Sequence, residues 1–110
     1  MLEIIPMEDA QVVLFPPRLD ANTAPGVEKD LKALLLASPG KIIFDFSDTE
    51  YVASAGLRVL LLITRDQMKA GRKVALVEIR PAVLRIFEMA GFTSIFPISK
   101  TRADALIKMA

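Results

Sequence analysis

Apolar positions in this chain of 110 residues fall into short runs and spaced stripes that take turns along the sequence. Leu2 to Pro6 and Gln11 to Phe15 are two β-type runs separated by Met7-Glu8-Asp9-Ala10. They predict a hairpin at one edge of a sheet, with Pro16-Pro17 stopping its second strand. After RLDANTAP the period lengthens: Val27, Leu31, Leu34 and Leu35 share a helical face, while Glu28, Lys29, Asp30 and Lys32 lie on other faces. Asn22 or Thr23 suits the N-cap of this helix, Pro25 its first turn, and Ser38-Pro39-Gly40 its end.

KIIFDF, Lys41 to Phe46, is a nearly continuous apolar run of the kind found in strands covered on both faces, and it is predicted as the central strand. Leu57, Leu60, Leu61, Thr64 and Met68 mark a buried stripe on a helix from Ala55 to Ala70, which Gly71 stops. Lys73 to Val77 reads as another buried strand. Pro81 to Ala90 reads as a helix with Pro81 in its first turn and Gly91 after its end. Val83, Ile86 and Phe87 form the buried face of that helix, with Met89 and Phe92 nearby as further core or as the edge of a partner surface. A short strand, Ser94 to Pro97, and a helix, Thr101 to Met109, close the chain.

The resulting order, ββαβαβαβα, implies an α/β fold in one domain spanning residues 1–110. A mixed, mostly parallel sheet of about five strands is expected, with about four helices and right-handed crossovers. In such sheets the loops at the carboxyl ends of the strands favour function, because backbone groups and helix N-termini meet there. RLDANTA and SDTEYVASAG both lie at such ends.

Composition narrows the chemistry. The chain has 14 Lys and Arg against 13 Asp and Glu, a net charge of +1, so nothing calls for a nucleic-acid partner or an anionic membrane surface. Cysteine and histidine are absent, which removes disulfides, thiolate chemistry, the commonest metal ligand and the usual general base near neutral pH. MLEIIPMEDA lacks the basic flank and apolar core of a secretory signal. The longest dense apolar run, Val59 to Ile63, is five residues, against roughly 20 for a membrane span. The expectation is a cytoplasmic protein without membrane insertion, metal, cofactor or enzymatic activity.

Ser54 is the one aliphatic hydroxyl in YVASAGLRVLL and falls at or next to a helix start. Two roles fit it. As an N-cap, its oxygen would accept a bond from an unpaired backbone N–H, stabilising the helix by about 1 kcal/mol. As a phosphoacceptor, it would place new negative charge where helix amides and dipole tolerate it. Ala53, Ala55 and Gly56 leave the hydroxyl sterically open, although packing alone also selects small residues, and Gly56 would permit close approach of helix to sheet. One glycine and no P-loop lysine exclude a phosphate-cradling loop. Asp20 and Asp48 close turns or orient groups near the same sheet end. Arg58, four residues beyond Ser54, is placed to pair with a phosphate or a partner's acid, whereas Arg65, Lys69, Arg72 and Lys73 read as a solvated face.

Three segments in order resemble the STAS domain, and in particular the stand-alone anti-sigma factor antagonists of bacterial partner switching. They are RLDANTAP, KIIFDFSDTEYVASAGLRVLL and KAGRKVALVEIRPAVLRIFEMAGFTSIFPI, which together cover nearly the whole chain. The resemblance implies a STAS-like fold and a non-enzymatic antagonist, monomeric or weakly dimeric. Its partners would be an anti-sigma factor that is also a serine kinase and a PP2C-like phosphatase that reverses the modification. It assigns Ser54 as phosphoacceptor and Asp20, Asn22, Thr23, Ala53, Ala55, Gly56, Leu57 and Arg58 to the partner surface. The chain departs from the family's D-S-S-G motif: matched on Gly56, alanines 53 and 55 replace its acid and its usual acceptor, and the remaining serine is one place early. The alternative is a STAS interaction subunit of another assembly, such as a lipid-transport or sensory complex, that is not phosphorylated.

Overall fold

The computed structural model describes residues 2–37 and 40–110. Strands β1 (Glu3–Met7) and β2 (Ala10–Leu14) form the expected antiparallel hairpin, with Met7 opposite Ala10 and Glu8 at φ 56 in the turn. Pro6 sits on β1, the outer strand, where a residue without an N–H interrupts no ladder. Between the hairpin and the first helix lies a two-residue strand, β3 (Arg18–Leu19), followed by α1 (Ala24–Ala37). The helix end expected at Ser38-Pro39 lies outside the described residues.

Strand β4 (Lys41–Asp45) lies between β2 and β6 (Val74–Val77), parallel to both, giving the sheet order β1-β2-β4-β6. Its residues alternate faces as a doubly covered strand requires. Ile42 and Phe44 pack with Val27, Leu31 and Leu35 of α1, Leu60 and Ile63 of α2 (Ser54–Lys69), and Val83 and Phe87 of α3 (Pro81–Met89). Ile43 packs on the other face with Val12, Ala75 and Val77, beneath Ala105 and Met109 of α4 (Arg102–Met109). Near the carboxyl ends of the strands, Phe15 and Phe46 stack at 4.5 Å between ring centres, and Phe87 and Phe96 extend the aromatic contacts edge to face.

Asp45, 1% exposed, ties the second layer to the strand ends. Its Oδ2 accepts from Arg102 Nε at 2.7 Å and its Oδ1 from the Ser47 backbone N–H at 2.8 Å. Thr101 caps α4 by accepting from the Asp104 N–H.

Three details differ from the sequence expectations. The strand expected over Ser94–Pro97 is replaced by a turn and a single parallel bridge, Leu76 to Ile98. The ladder donates Leu76 N to Pro97 O and Ser99 N to Leu76 O, so its next rung would need residue 97 to donate to the Val74 carbonyl. Proline has no such proton. Met68 and Met89 are 48% and 89% exposed, so neither belongs to the core; each lies near a helix C-terminus, past the last buried turn. A parallel pair absent from the expected order, β3 with β5 (Tyr51–Val52), forms a small second sheet.

Candidate functional site

The β3–β5 pair builds the site. Arg18 lies opposite Tyr51 and Leu19 opposite Val52, and because the strands are parallel, both chains leave the pair in the same direction. One continues into Asp20-Ala21-Asn22-Thr23 and α1, the other into Ala53 and α2. The Ala53 N–H donates to the Leu19 carbonyl at 2.9 Å. A Cβ on Gly56 would meet that same carbonyl, so glycine here is required by close approach of the helix. Two loops 30 residues apart in sequence thus share one surface.

Upstream, the segment is held from several sides. Thr49 Oγ1 donates to the Pro16 carbonyl at 2.9 Å, and the Glu50 N–H donates to the Pro17 carbonyl at 2.7 Å. The Arg18 guanidinium lies 4.9 Å from the centre of the Tyr51 ring. Arg80 Nε donates to the Ser47 carbonyl at 2.8 Å, with its guanidinium 3.9 Å from Glu50.

Asp20-Ala21-Asn22-Thr23 forms a closed turn. Asp20 Oδ1 accepts from the N–H groups of Asn22 and Thr23, and Oδ2 accepts from Arg18 Nε at 3.3 Å. Thr23 Oγ1 donates to the Arg18 carbonyl at 2.8 Å and accepts from the Asp20 N–H. The backbone N–H of Thr23 is the largest of the donors that hold the Asp20 carboxyl below its ordinary value, followed by the Asn22 N–H and Arg18. Asp20 is therefore an Asx-turn acceptor that shapes the loop. Asn22 is exposed and Thr23 half-buried.

Ser54 is not the N-cap. Ala53 holds that place, in extended conformation and with no side-chain cap bond, and Ser54 is the first helical residue. The cap role is thereby excluded: from a helical position the hydroxyl does not reach forward to the N2 and N3 amides as an N-cap oxygen does. Ser54 is exposed, and its oxygen makes no hydrogen bond among the described residues. Ala53 and Ala55 beside it are half-buried, Gly56 is buried, and Leu57 packs half-buried against the core. Arg58 is exposed, without an ion pair among the described residues. Of the residues assigned to the partner surface, the exposed polar ones are thus Ser54 and Arg58, in the first turns of α2, and Asn22, in the loop before α1. Asp48 is exposed in the preceding turn.

Among the described residues, no base is bonded to Ser54 and no group of three or more acids could hold a metal. The exposed hydroxyl is open to a reagent brought by another protein. No helix of the described residues is long and apolar enough to cross a membrane. Two residues of this region escaped the sequence reading. Asp45 lies within KIIFDF and Leu19 within RLDANTA, and only the groups they bond, Arg102 and the Ala53 N–H, show what they do.

The family model for the STAS domain matches residues 7–105. The chain is 32% identical over 87 residues to BtrV of Bordetella bronchiseptica, which is named as a candidate anti-sigma factor antagonist; the match spans 79% of this chain and 75% of BtrV. The crystal structure of an anti-sigma factor antagonist from Mycobacterium paratuberculosis superposes with a TM-score of 0.87 at 26% identity, covering 99% of this chain and 92% of the other. The same fold recurs in the phosphorylated form of the Bacillus protein SpoIIAA, at a TM-score of 0.73 and 14% identity, with both chains fully covered.

Proposed function

Because the chain belongs to the STAS domain family, we propose that it is an anti-sigma factor antagonist, a non-enzymatic switch that binds an anti-sigma factor with serine-kinase activity. One observation carries the proposal: Ser54 stands exposed and unbonded on the first turn of α2, which the β3–β5 pair holds beside the 20–23 loop. The similarity to BtrV and to the mycobacterial antagonist supports the choice of partner class. In this reading the unmodified chain presents Asn22, Thr23, Ser54 and Arg58 to the kinase. Asp20 shapes the loop from below, and Ala53, Ala55, Gly56 and Leu57 set the close fit.

The kinase transfers the γ-phosphoryl group of ATP to Ser54 Oγ, and the hydroxyl proton leaves to a base of the kinase. The product carries about −1.5 to −2 charge at a point that must otherwise fit a protein surface. The interface opens, and hydrolysis of the phosphate by a PP2C-like phosphatase restores it. Cytoplasmic location follows from the kinase and ATP this cycle needs. Incubation of the chain with its cognate kinase and ATP is expected to add one phosphate, mapped by mass spectrometry to Ser54. A phosphate elsewhere, or none, removes the switch.

One feature favours a second reading. Alanine at residue 55, the usual acceptor place, fits a STAS module that binds its partner without being phosphorylated. Complexes that form equally with and without ATP, and with Ser54→Asp, would select it.

A further inference from the structure

Opposite the Ser54 end, a groove of about 430 Å³ runs between the end of α2, the start of β6 and the last turns of α4. Its apolar wall includes Met68, Val74, Ile98 and Met109. Its charged lining residues are Arg72, Lys73 and Lys108, and no acid among the described residues lines it. Lys73 Nζ donates to the Met109 carbonyl at 2.8 Å, and Arg72 donates to the Leu35 carbonyl at 3.0 Å. The bond to a neutral carbonyl holds the Lys73 side chain in place without neutralising its charge. Lys108 is exposed, and neither it nor Lys73 forms an ion pair among the described residues.

A strand edge opens into the same groove. The Ile42 N–H donates to the Lys73 carbonyl, which sets Lys73, Ala75 and Val77 to bond with β4 and turns the N–H and C=O of Val74, Leu76 and Glu78 outward. Residues 97–100 satisfy Leu76 and the Glu78 N–H. Val74, 6% exposed, is one rung lower, where Pro97 has no proton to give its carbonyl. The Val74 carbonyl thus has no in-sheet donor on this edge, and a ligand bringing an N–H there would supply one.

We propose that this groove docks an extended, acidic and apolar peptide segment of a partner protein. Its main-chain N–H would bond the Val74 carbonyl, its carboxylates would face Lys73 and Lys108, and its alternate side chains would lie on Met68 and Ile98. The donor requirement favours a peptide over an acyl carboxylate, which offers charge and apolar length but no N–H. The inference stands apart from the Ser54 reading, since the groove lies at the other end of α2.

The test is a titration of the full, isotope-labelled chain with a blocked alternating Val-Glu hexapeptide, followed by amide chemical shifts. Saturable shifts at Val74, Ala75, Ile98 and Ser99 are expected. Lys108→Glu, an exposed substitution, should weaken binding at least fivefold, and so should N-methylation of the peptide. Absence of shifts at millimolar peptide would overturn the proposal, as would equal binding of a Val-Lys hexapeptide. Saturable shifts produced by laurate, with none from the peptide, would instead make the groove an acyl-carboxylate site.

Discussion

The carbonyl of Leu19 occupies the space in which a side chain at residue 56 would begin: a Cβ on Gly56 would lie 2.5 Å from that oxygen and 2.6 Å from Leu19 Cγ. Because the same carbonyl accepts from Ala53, any displacement of α2 also loosens the junction between the two loops of the site. Gly56→Ala is expected to destabilise the fold by about 1–3 kcal/mol through overpacking against backbone. A lowered urea midpoint at unchanged slope, with amide shifts spreading to residues 20–23, is the expected readout. A midpoint within error of wild type would show that the contact yields freely.

Ser54 is exposed and unbonded, so its substitution should leave the fold intact. Ser54→Ala is expected to keep affinity for the anti-sigma kinase. Ser54→Asp, which places a charge in the interface, is expected to weaken it at least tenfold, about 1.4 kcal/mol. Calorimetric titration of both variants decides this, and equal affinities would contradict a charge-operated switch.

Arg102→Ala leaves the Asp45 carboxylate, 1% exposed, with only the Ser47 N–H. Stranding one member of a buried pair costs about 3–5 kcal/mol. Because Arg102 is itself 30% exposed, screening reduces this to about 2–3 kcal/mol. Chemical denaturation measures the loss. Arg102→Lys should recover part of it, since a point charge lacks the guanidinium fork.

Thr64 is fully buried, and its hydroxyl has no partner among the described residues. Thr64→Val keeps the branched shape and removes the orphan oxygen, so stability should rise by roughly 1 kcal/mol. A thermal midpoint that falls instead would mean that the hydroxyl is satisfied in solution.

Asp20 provides a pH signature. Its carboxyl is held below the ordinary value of 3.8 by the Thr23 and Asn22 N–H groups and Arg18. A group depressed in the folded state stabilises the fold fully above its unfolded pKa, and that contribution disappears as pH falls through the folded value. The loss therefore lies in the acid range below 3.8. An NMR titration should show the Thr23 amide shifting with that midpoint, and Asp20→Asn should remove the transition together with the stabilisation that the carboxylate contributes at neutral pH.

Much of the architecture was legible because burial imposes a period. The four-residue spacing of Val27, Leu31 and Leu35, and the nearly continuous apolar run of KIIFDF, predict elements whose hidden faces the structure shows. The last strand was misread because β-type residues at 94–97 satisfy local propensity, whereas the ladder depends on a donor that Pro97 lacks. The pair β3–β5 escaped because two residues per strand carry no periodicity; such strands exist only by virtue of their partner.

The sequence by itself determined the alternation of strands and helices, the absence of thiol and imidazole chemistry, and the presence of one serine among small residues at a helix start, all of which are local properties. Tertiary structure alone decided that Ser54 lies one residue past the cap and makes no bond, that Leu19 requires Gly56, and that residues 20–23 share its surface. These depend on which backbone groups meet across 30 residues of chain, and pairing over that distance leaves no repeating pattern in the residues that make it.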